Sequence, residues 1–242
     1  MNRVLIFSFW LFLSSIVLGQ TADKIKTSSG HLTVNPVKHG TVVFQWMSKV
    51  VFVDPVGGAA LYEKFGTPDM VLVTDIHGDH FNKDTLSAVV EEKTIVITPE
   101  AVATLISGNV KKRITTLANG KSVDKIGLKI EAVPMYNLTA SRLKFHNKGR
   151  GNGYVITFGD KRVYVSGDTE DIPEMRALKN IDLAFVCMNL PYTMTPERAA
   201  DAVREFKPKI VYPYHYRGSD TSKFKKLVGN VSEVRLRDWY VR

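Results

Sequence analysis

Residues 71–81, VLVTDIHGDHF, run from an apolar segment straight into four metal-capable side chains. Val71, Leu72 and Val73 read as a buried strand. Within a few residues the chain presents Asp75, His77, Asp79 and His80. Positions two apart on an extended backbone point to the same side, so Asp75 and His77 can face one ion. Gly78 lets the chain turn, and Asp79 and His80 then offer a second pair before Asn82-Lys83-Asp84 opens a helix. Imidazole mixed with carboxylate favours zinc or another borderline divalent ion over calcium, which takes oxygen ligands alone.

The sequence on either side repeats the same strand-to-loop arrangement. Upstream, residues 32–37, 41–46 and 49–53 read as strands, with Met47-Ser48 as a turn and Asp54-Pro55 ending the third. His39 sits between the first two strands, either beside a site or filling a turn. Downstream, a helix over residues 83–91, a strand over 94–98 and a helix opening at Pro99 alternate. Strands follow at residues 113–117 and 125–131, then at 153–158 and 162–165, the last pair joined by a Gly159-Asp160 hairpin turn. The loop over residues 134–151 is too long for a plain connector and carries His146. Gly149, Gly151 and Gly153 would let its backbone pass close to a site. Asp168 follows a strand through Ser166-Gly167. A buried strand spans residues 182–187, Thr195-Pro196 opens a helix running to Phe206, and the strand begun at Lys209 ends on His215. Apart from His31 and His39, the histidines and aspartates of these motifs follow apolar strands or lie in the long loop, which places the chemistry along one rim.

The 242 residues, 44% of them hydrophobic, suit one domain over residues 20–242. Residues 1–19 have the form of a signal peptide: Arg3, an apolar run over 4–18, and small residues at Val17 and Gly19. A retained membrane anchor is the alternative reading. The expected location is therefore periplasmic or extracellular, with membrane contact limited to export unless the leader is retained. The single cysteine, Cys187, rules out an internal disulfide and reads as core. The formal charge of +9 is spread over clusters that lack interleaved aromatics, which argues against nucleic acid as a partner. A small-molecule substrate, drawn as an anion by Arg142, Lys144, Lys148 and Arg150, fits that balance.

Together with Asp75 to His80, Gly167-Asp168-Thr169 and His215, the segments VDPV (53–56), VPMYN (133–137), FHNKGRGNGYV (145–155), YVSGDTEDIPEM (164–175) and KPKIVYPYHY (207–216) resemble the metallo-beta-lactamase fold superfamily. The likeness, over roughly residues 30–220, is to its small metal-dependent hydrolases, whose relatives act on lactones and phosphodiesters. It implies an α/β fold, an αββα sandwich with a dinuclear site at the open rim. The family's His-x-His-x-Asp-His falls on Asp75, His77, Asp79 and His80, so its first histidine is an aspartate here. The bridging aspartate corresponds to Asp168 and the last histidine to His215. One metal position would then use Asp79, His80, Asp168 and His215, and the other Asp75, His77 and the shared Asp168. The histidine expected near residue 137 is Asn137, which leaves His146 as the substitute ligand. One or two divalent ions are implied, zinc first, with manganese or iron as alternatives. The reaction implied is hydrolysis of a small ester, lactone, amide or phosphodiester by a metal-activated water, with Asp79 as the catalytic carboxylate and Tyr136, Tyr214 and Arg142 as candidate substrate contacts. A catalytically silent metal-binding or interaction protein, or a metal-based redox enzyme, are the other readings.

Overall fold

Val42, Phe44 and Trp46 fall on one face of an extended segment and Val43 on the other, and all four are buried. A strand apolar on both faces has to be covered on both, which a layered α/β arrangement does. The computed structural model describes residues 22–240, so the leader expected at residues 1–19 lies outside the described residues.

The first sheet contains β1 (Asp23–Thr27), β2 (Gly30–Lys38), β3 (Thr41–Trp46), β4 (Lys49–Val53), β5 (Met70–Leu72), β6 (Ile95–Thr98) and β7 (Ile114–Thr116). The second contains β8 (Ser122–Lys125), β9 (Leu128–Met135), β10 (Gly151–Phe158), β11 (Lys161–Val165), β12 (Leu183–Cys187), β13 (Ile210–Tyr214) and β14 (Glu233–Val234). Each sheet is seven-stranded with its strands in sequence order. β1 to β4 and β8 to β11 are antiparallel meanders, whereas β4 to β7 and β11 to β14 pair in parallel. The parallel halves need crossovers, supplied on the first sheet by two 3-10 turns (Ala59–Leu61 and Glu63–Phe65) between β4 and β5, α1 (Lys83–Val89) between β5 and β6, and α2 (Glu100–Ala103) and α3 (Gly108–Lys111) between β6 and β7, and on the second by α4 (Pro173–Arg176), α5 (Pro196–Phe206) and α6 (Thr221–Val228).

Alternation assigns the faces. Val51, Val53, Met70, Leu72 and Ile97 enter the core between the sheets, while Phe52, Val71, Val73 and Val96 pack outward with Phe81, Leu86, Val102 and Val110 of the helical layer. Across the sandwich Phe44 meets Phe158 and Phe185, with ring centroids 5.5 Å apart in each case. Truncating such a ring to alanine costs about 3–5 kcal/mol. The architecture is the αββα sandwich expected from the sequence.

Local signals set the helix starts. The Asn82 side chain accepts from Thr85 N at 2.8 Å, and the Thr195 hydroxyl accepts from Arg198 N at 3.3 Å with Pro196 behind it. The strand expected at residues 125–131 is instead a hairpin, β8 to β9, turning at Ile126 (φ 48°) and Gly127 (φ 75°).

The membrane-anchored alternative to a cleaved leader gains no support from the structure: among the described residues no helix is long and apolar enough to cross a membrane. The longest described α-helix, Pro196–Phe206, has 11 residues, against about 20 for a bilayer span.

Candidate metal centre

Parallel strands end together, and here their C-terminal ends share one rim. β4 delivers Asp54, β5 runs into Thr74 and the 75–80 turn, β11 is followed by Asp168, β12 by Asn189 and β13 by His215. Backbone bonds lock the rim: His215 N donates to His39 O at 3.1 Å, His39 N to Trp239 O at 2.9 Å, and Asn152 N to Thr74 O at 2.9 Å. Three residues there, His39 (φ 51°), Asp54 (φ 48°) and His215 (φ 47°), hold left-handed backbone, a conformation that non-glycine residues keep only where the surroundings impose it. Close packing is also imposed at Gly40, where a Cβ would lie 2.8 Å from His215 Cδ2 and 3.4 Å from His80 Cε1.

Asp168 stands at the centre. Its Oδ2 is 3.4 Å from His80 Nε2 and 3.3 Å from His146 Nε2, and its Oδ1 is 3.4 Å from His215 Nδ1. His80 Nε2, Asp168 Oδ1 and both ring nitrogens of His215 are buried without a hydrogen-bond partner. Buried polar atoms are rarely left so. Donor atoms bound at about 2.1 Å to a tetrahedral ion sit about 3.4 Å from one another, so the spacing fits a shared divalent cation. Electrostatics agree: burial alone would lower the His80 imidazole, but Asp168 and Asp54 raise it well above its usual range. Burial likewise opposes ionisation of Asp168, yet His215, His80 and His146 hold it well below the carboxylate range. The cluster stabilises positive charge at its centre.

Three groups bring ligand atoms within 4.8 Å of one another: His80 with Asp168 and His215, Asp75 with His77 and His146, and His39 with Asp79 and His215. These clusters support divalent-metal binding. In the second group, His77 Nδ1 lies 2.6 Å from Asp75 Oδ2, and His146 Nε2 lies 3.8 Å from the same oxygen. His146 does arrive from the long loop, with 1% of its surface exposed. Asn137 helps place it: its amide nitrogen donates to the carbonyls of Arg142 (2.9 Å) and Tyr192 (2.8 Å) and lies 3.2 Å from His146 Nδ1. Arg150 forks onto Asp75 through Nε to Oδ1 (3.1 Å) and Nη2 to Oδ2 (3.0 Å). Burial opposes it, but the His77 hydrogen bond and the charges of His80 and Arg150 keep Asp75 below the usual carboxylate range. Asp79 stands apart from the Asp168 group: its Oδ2 is 3.0 Å from His39 Nε2 and 3.4 Å from His215 Nε2.

Several features went unassigned in the sequence. Asp54, fully buried, accepts from Thr74 N (2.7 Å) and Thr74 Oγ1 (2.6 Å) and pairs with His80 Nδ1 at 2.7 Å. That fixes a proton on Nδ1 and turns the Nε2 lone pair toward Asp168. It ends an apolar strand just as Asp75 and Asp168 nearly do, so the same strand-end rule would have found it. Glu170, equally buried, accepts from Leu138 N and Thr139 N, each at 2.7 Å, and pairs with Arg142 at 2.9 Å, which anchors the start of the long loop. The chain turns at Gly78 as expected, but the turn does not require glycine: its φ is not left-handed, and a Cβ there would meet open space.

The candidate substrate contacts also move. Tyr136 OH donates to Glu174, Tyr214 OH accepts from Gly167 N, and Arg142 is bound to Glu170 and Pro191 O. A cleft of about 310 Å³ opens over the cluster, its lining made of His77, Asp79, His146 and Asp168 together with Phe145, Asn189, Tyr192 and Arg217. The basic loop is largely paired within the protein: Arg142 with Glu170, Lys148 with Glu174 and Arg150 with Asp75. Cys187 is core as expected, its thiol pushed up to about 12 by burial.

Comparison with known proteins agrees with this geometry. The family described as a beta-lactamase superfamily domain matches residues 33–215. A UPF0173 metal-dependent hydrolase of Thermococcus onnurineus is 32% identical over 202 residues, covering 77% of this chain and 88% of that protein. A crystal structure from Parabacteroides distasonis, assigned to the metal-dependent hydrolases, superposes with a TM-score of 0.83 at 41% identity, covering 90% of this chain and 98% of that one. A metallo hydrolase of Ignicoccus hospitalis shares the fold, with a TM-score of 0.70 at 21% identity over 85% of this chain and 94% of that one. With a sandwich of this topology, a histidine and aspartate cluster at its rim, and a family match spanning most of the described residues, the chain belongs to the metallo-beta-lactamase superfamily.

Proposed function

We propose that the protein is a metal-dependent hydrolase of a small ester, lactone, amide or phosphodiester, using water activated at the rim. The observation that supports this most is the set of buried, unpartnered donor atoms on His80, Asp168 and His215 beneath a cleft that Asp79 walls. His80, Asp168 and His215 would hold one divalent ion, zinc first, and Asp75, His77 and His146, with Asp168 shared, a second. When bound, such an ion supplies Lewis acidity toward the scissile carbonyl or phosphoryl oxygen and makes a water acidic enough to attack near neutral pH.

The remaining work falls to the chain. Burial opposes ionisation of Asp79, but His215 at 3.4 Å and the hydrogen bond with His39 hold its carboxylate far below the usual range, so it stays an acceptor in the cleft lining. Asp79, with Oδ2 held by His39, would orient the attacking water through its carboxylate while the proton the water releases passes to the leaving group. His39, kept neutral by burial, holds Asp79 through Nε2 while its Nδ1 lies 2.6 Å from Tyr240 OH. Phe145 and Tyr192, in edge contact at 5.0 Å between ring centroids, shield one side from solvent.

The test is hydrolysis of matched lactone, amide and phosphodiester panels by protein stripped with a chelator and then reconstituted. Activity should follow metal content; Asp79→Ala should lose about 10²-fold or more in rate while keeping metal, and His80→Ala should lose both. Unchanged activity after verified metal removal refutes the reading.

A further inference from the structure

The cleft lining outside the metal cluster has its own chemistry. Arg217 lies directly after the His215-Tyr216 end of β13 and lines the cleft. Its backbone N–H is taken by Tyr240 OH at 2.7 Å. Among the described residues its guanidinium has neither an ion pair nor a hydrogen bond, although Arg142, Arg150, Arg162, Arg176, Arg198 and Arg235 are all paired with carboxylates. In the same lining Asn189 is 1% exposed, and its Oδ1 is buried without a partner. The backbone of Asn189 is fully used, its N–H accepted by Thr193 Oγ1 at 2.8 Å and its carbonyl taken by Tyr192 N and Thr193 N, each at 2.9 Å. The side-chain amide is therefore held in place while making no bond of its own. Phe145 and Tyr192 complete the wall as an aromatic pair.

We infer that this wall is the subsite that selects the substrate, and that it takes a small organic carboxylate with an apolar body and a hydrogen-bond donor. Arg217 holds the anionic group, Asn189 Oδ1 accepts from an N–H or O–H on the ligand, and Phe145 and Tyr192 cover the apolar part. The assignment rests on the hydrolase reading for the location of the scissile bond, but not for binding. A guanidinium fork is matched to a carboxylate, and a buried acceptor left without a donor costs about 1–3 kcal/mol, which a ligand donor recovers. The cleft of about 310 Å³ lies at the small end of ligand sites. The anion preference expected from the 142–150 loop is thereby reassigned to Arg217 in the cleft lining, since that loop's arginines and Lys148 are already paired with carboxylates and Lys144 lies over the Phe145 ring, 5.1 Å from its centroid.

The test uses binding, so it stays informative even if turnover is never seen. N-acetylphenylalanine, its neutral analogue N-acetylphenylalaninamide, and 3-phenylpropanoate, which lacks the N–H, are titrated calorimetrically into zinc-loaded protein with metal content measured in parallel. The wild type should bind the acid at least about tenfold more tightly than the amide, the lower end for a charge-assisted contact at a partly exposed site. Arg217→Met should abolish that ratio at unchanged zinc content. Asn189→Leu should keep the ratio but abolish the preference for N-acetylphenylalanine over 3-phenylpropanoate. Equal affinity for acid and amide in the wild type, including no measurable binding of either, overturns the inference. So does an acid preference that survives in Arg217→Met, which would assign the carboxylate to the metal alone. Loss of zinc with the ligand preferences intact would instead count against the metal reading.

Discussion

Replacing Asp54 by asparagine changes one atom outside the cluster and should nonetheless weaken it. Asp54 Oδ2 pairs with His80 Nδ1 at 2.7 Å and accepts from Thr74 Oγ1 at 2.6 Å, while Oδ1 accepts from Thr74 N at 2.7 Å. In Asp54→Asn the amide oxygen can satisfy Thr74 N only by turning its NH2 toward His80 Nδ1. That nitrogen must then accept, which moves the imidazole proton to Nε2, the atom facing Asp168 at 3.4 Å. The opposite amide orientation sets NH2 against the Thr74 N–H in a site with no water access. Either way His80 is presented in the wrong tautomer or the turn is strained. Removing a group that orients a ligand histidine typically costs 10–100-fold in metal affinity, about 1.4–2.7 kcal/mol. Losing a hydrogen bond to a buried charge destabilises the stripped protein by about 1.5–3 kcal/mol. Competition against a fluorescent chelator measures the first effect and thermal unfolding of the metal-free protein the second. Thr74→Val, which keeps the Asp54–His80 bond but removes the Thr74 Oγ1 contact to His80 Nδ1 at 3.0 Å, should lower stability with a smaller loss of affinity than Asp54→Asn. A folded Asp54→Asn protein that binds zinc within twofold of the wild type would refute the tautomer argument.

Gly40→Ala should push its new methyl against the His215 and His80 rings, at 2.8 and 3.4 Å, costing about 1–3 kcal/mol of stability together with metal affinity, both read by thermal unfolding with and without zinc. Glu170 is held below its ordinary value of 4.5: burial opposes this, but hydrogen bonds from Thr139, Arg142 and Leu138 prevail. A lowered folded pKa means its contribution is complete above 4.5 and is lost as pH falls through the lower folded value. Hydrogen exchange over residues 138–146 should therefore stay protected down to mildly acidic pH and then open, whereas Glu170→Gln should be open by about 1–3 kcal/mol at neutral pH and lack the acid transition. The Cys187 thiol, fully buried and pushed up to about 12, should react with a thiol reagent only at the rate of global unfolding; labelling faster than unfolding would show local opening of β12.

Much of the fold is legible because its apolar segments carry clear periods. The strands from Thr41 to Trp46 and from Lys49 to Val53, and the helix from Pro196 to Phe206, begin and end where turn residues and caps place them. The sequence does not separate β8 from β9 because the hairpin turns on Ile126 at positive φ, where an apolar β-branched residue gives no turn signal. α6 was hidden by its lysines, although Asp220 caps it and Phe224 and Val228 are buried. In the site, Asp75, His77, Asp79, His80, Asp168 and His215 stand out because each is at or near a strand end. His146 had to cross from a loop, and its position depends on Asn137, whose amide contacts are not visible from spacing. His39 could not be resolved from sequence, since the turn it fills also meets the rim. Asn189 and Arg217 have no strand-end metal chemistry to mark them, and only the assembled cleft brings them together.

The account rests on a divalent ion at the rim, and anomalous diffraction from crystals of the zinc-loaded protein, recorded on both sides of the zinc edge, tests it most directly. It predicts an anomalous peak within coordination distance, about 2.0–2.2 Å, of His80 Nε2, Asp168 and His215. It predicts that any second peak lies among Asp75, His77 and His146, on the far side of Asp168. A fully loaded crystal with no peak among these residues, or with zinc bound only elsewhere on the surface, would contradict it.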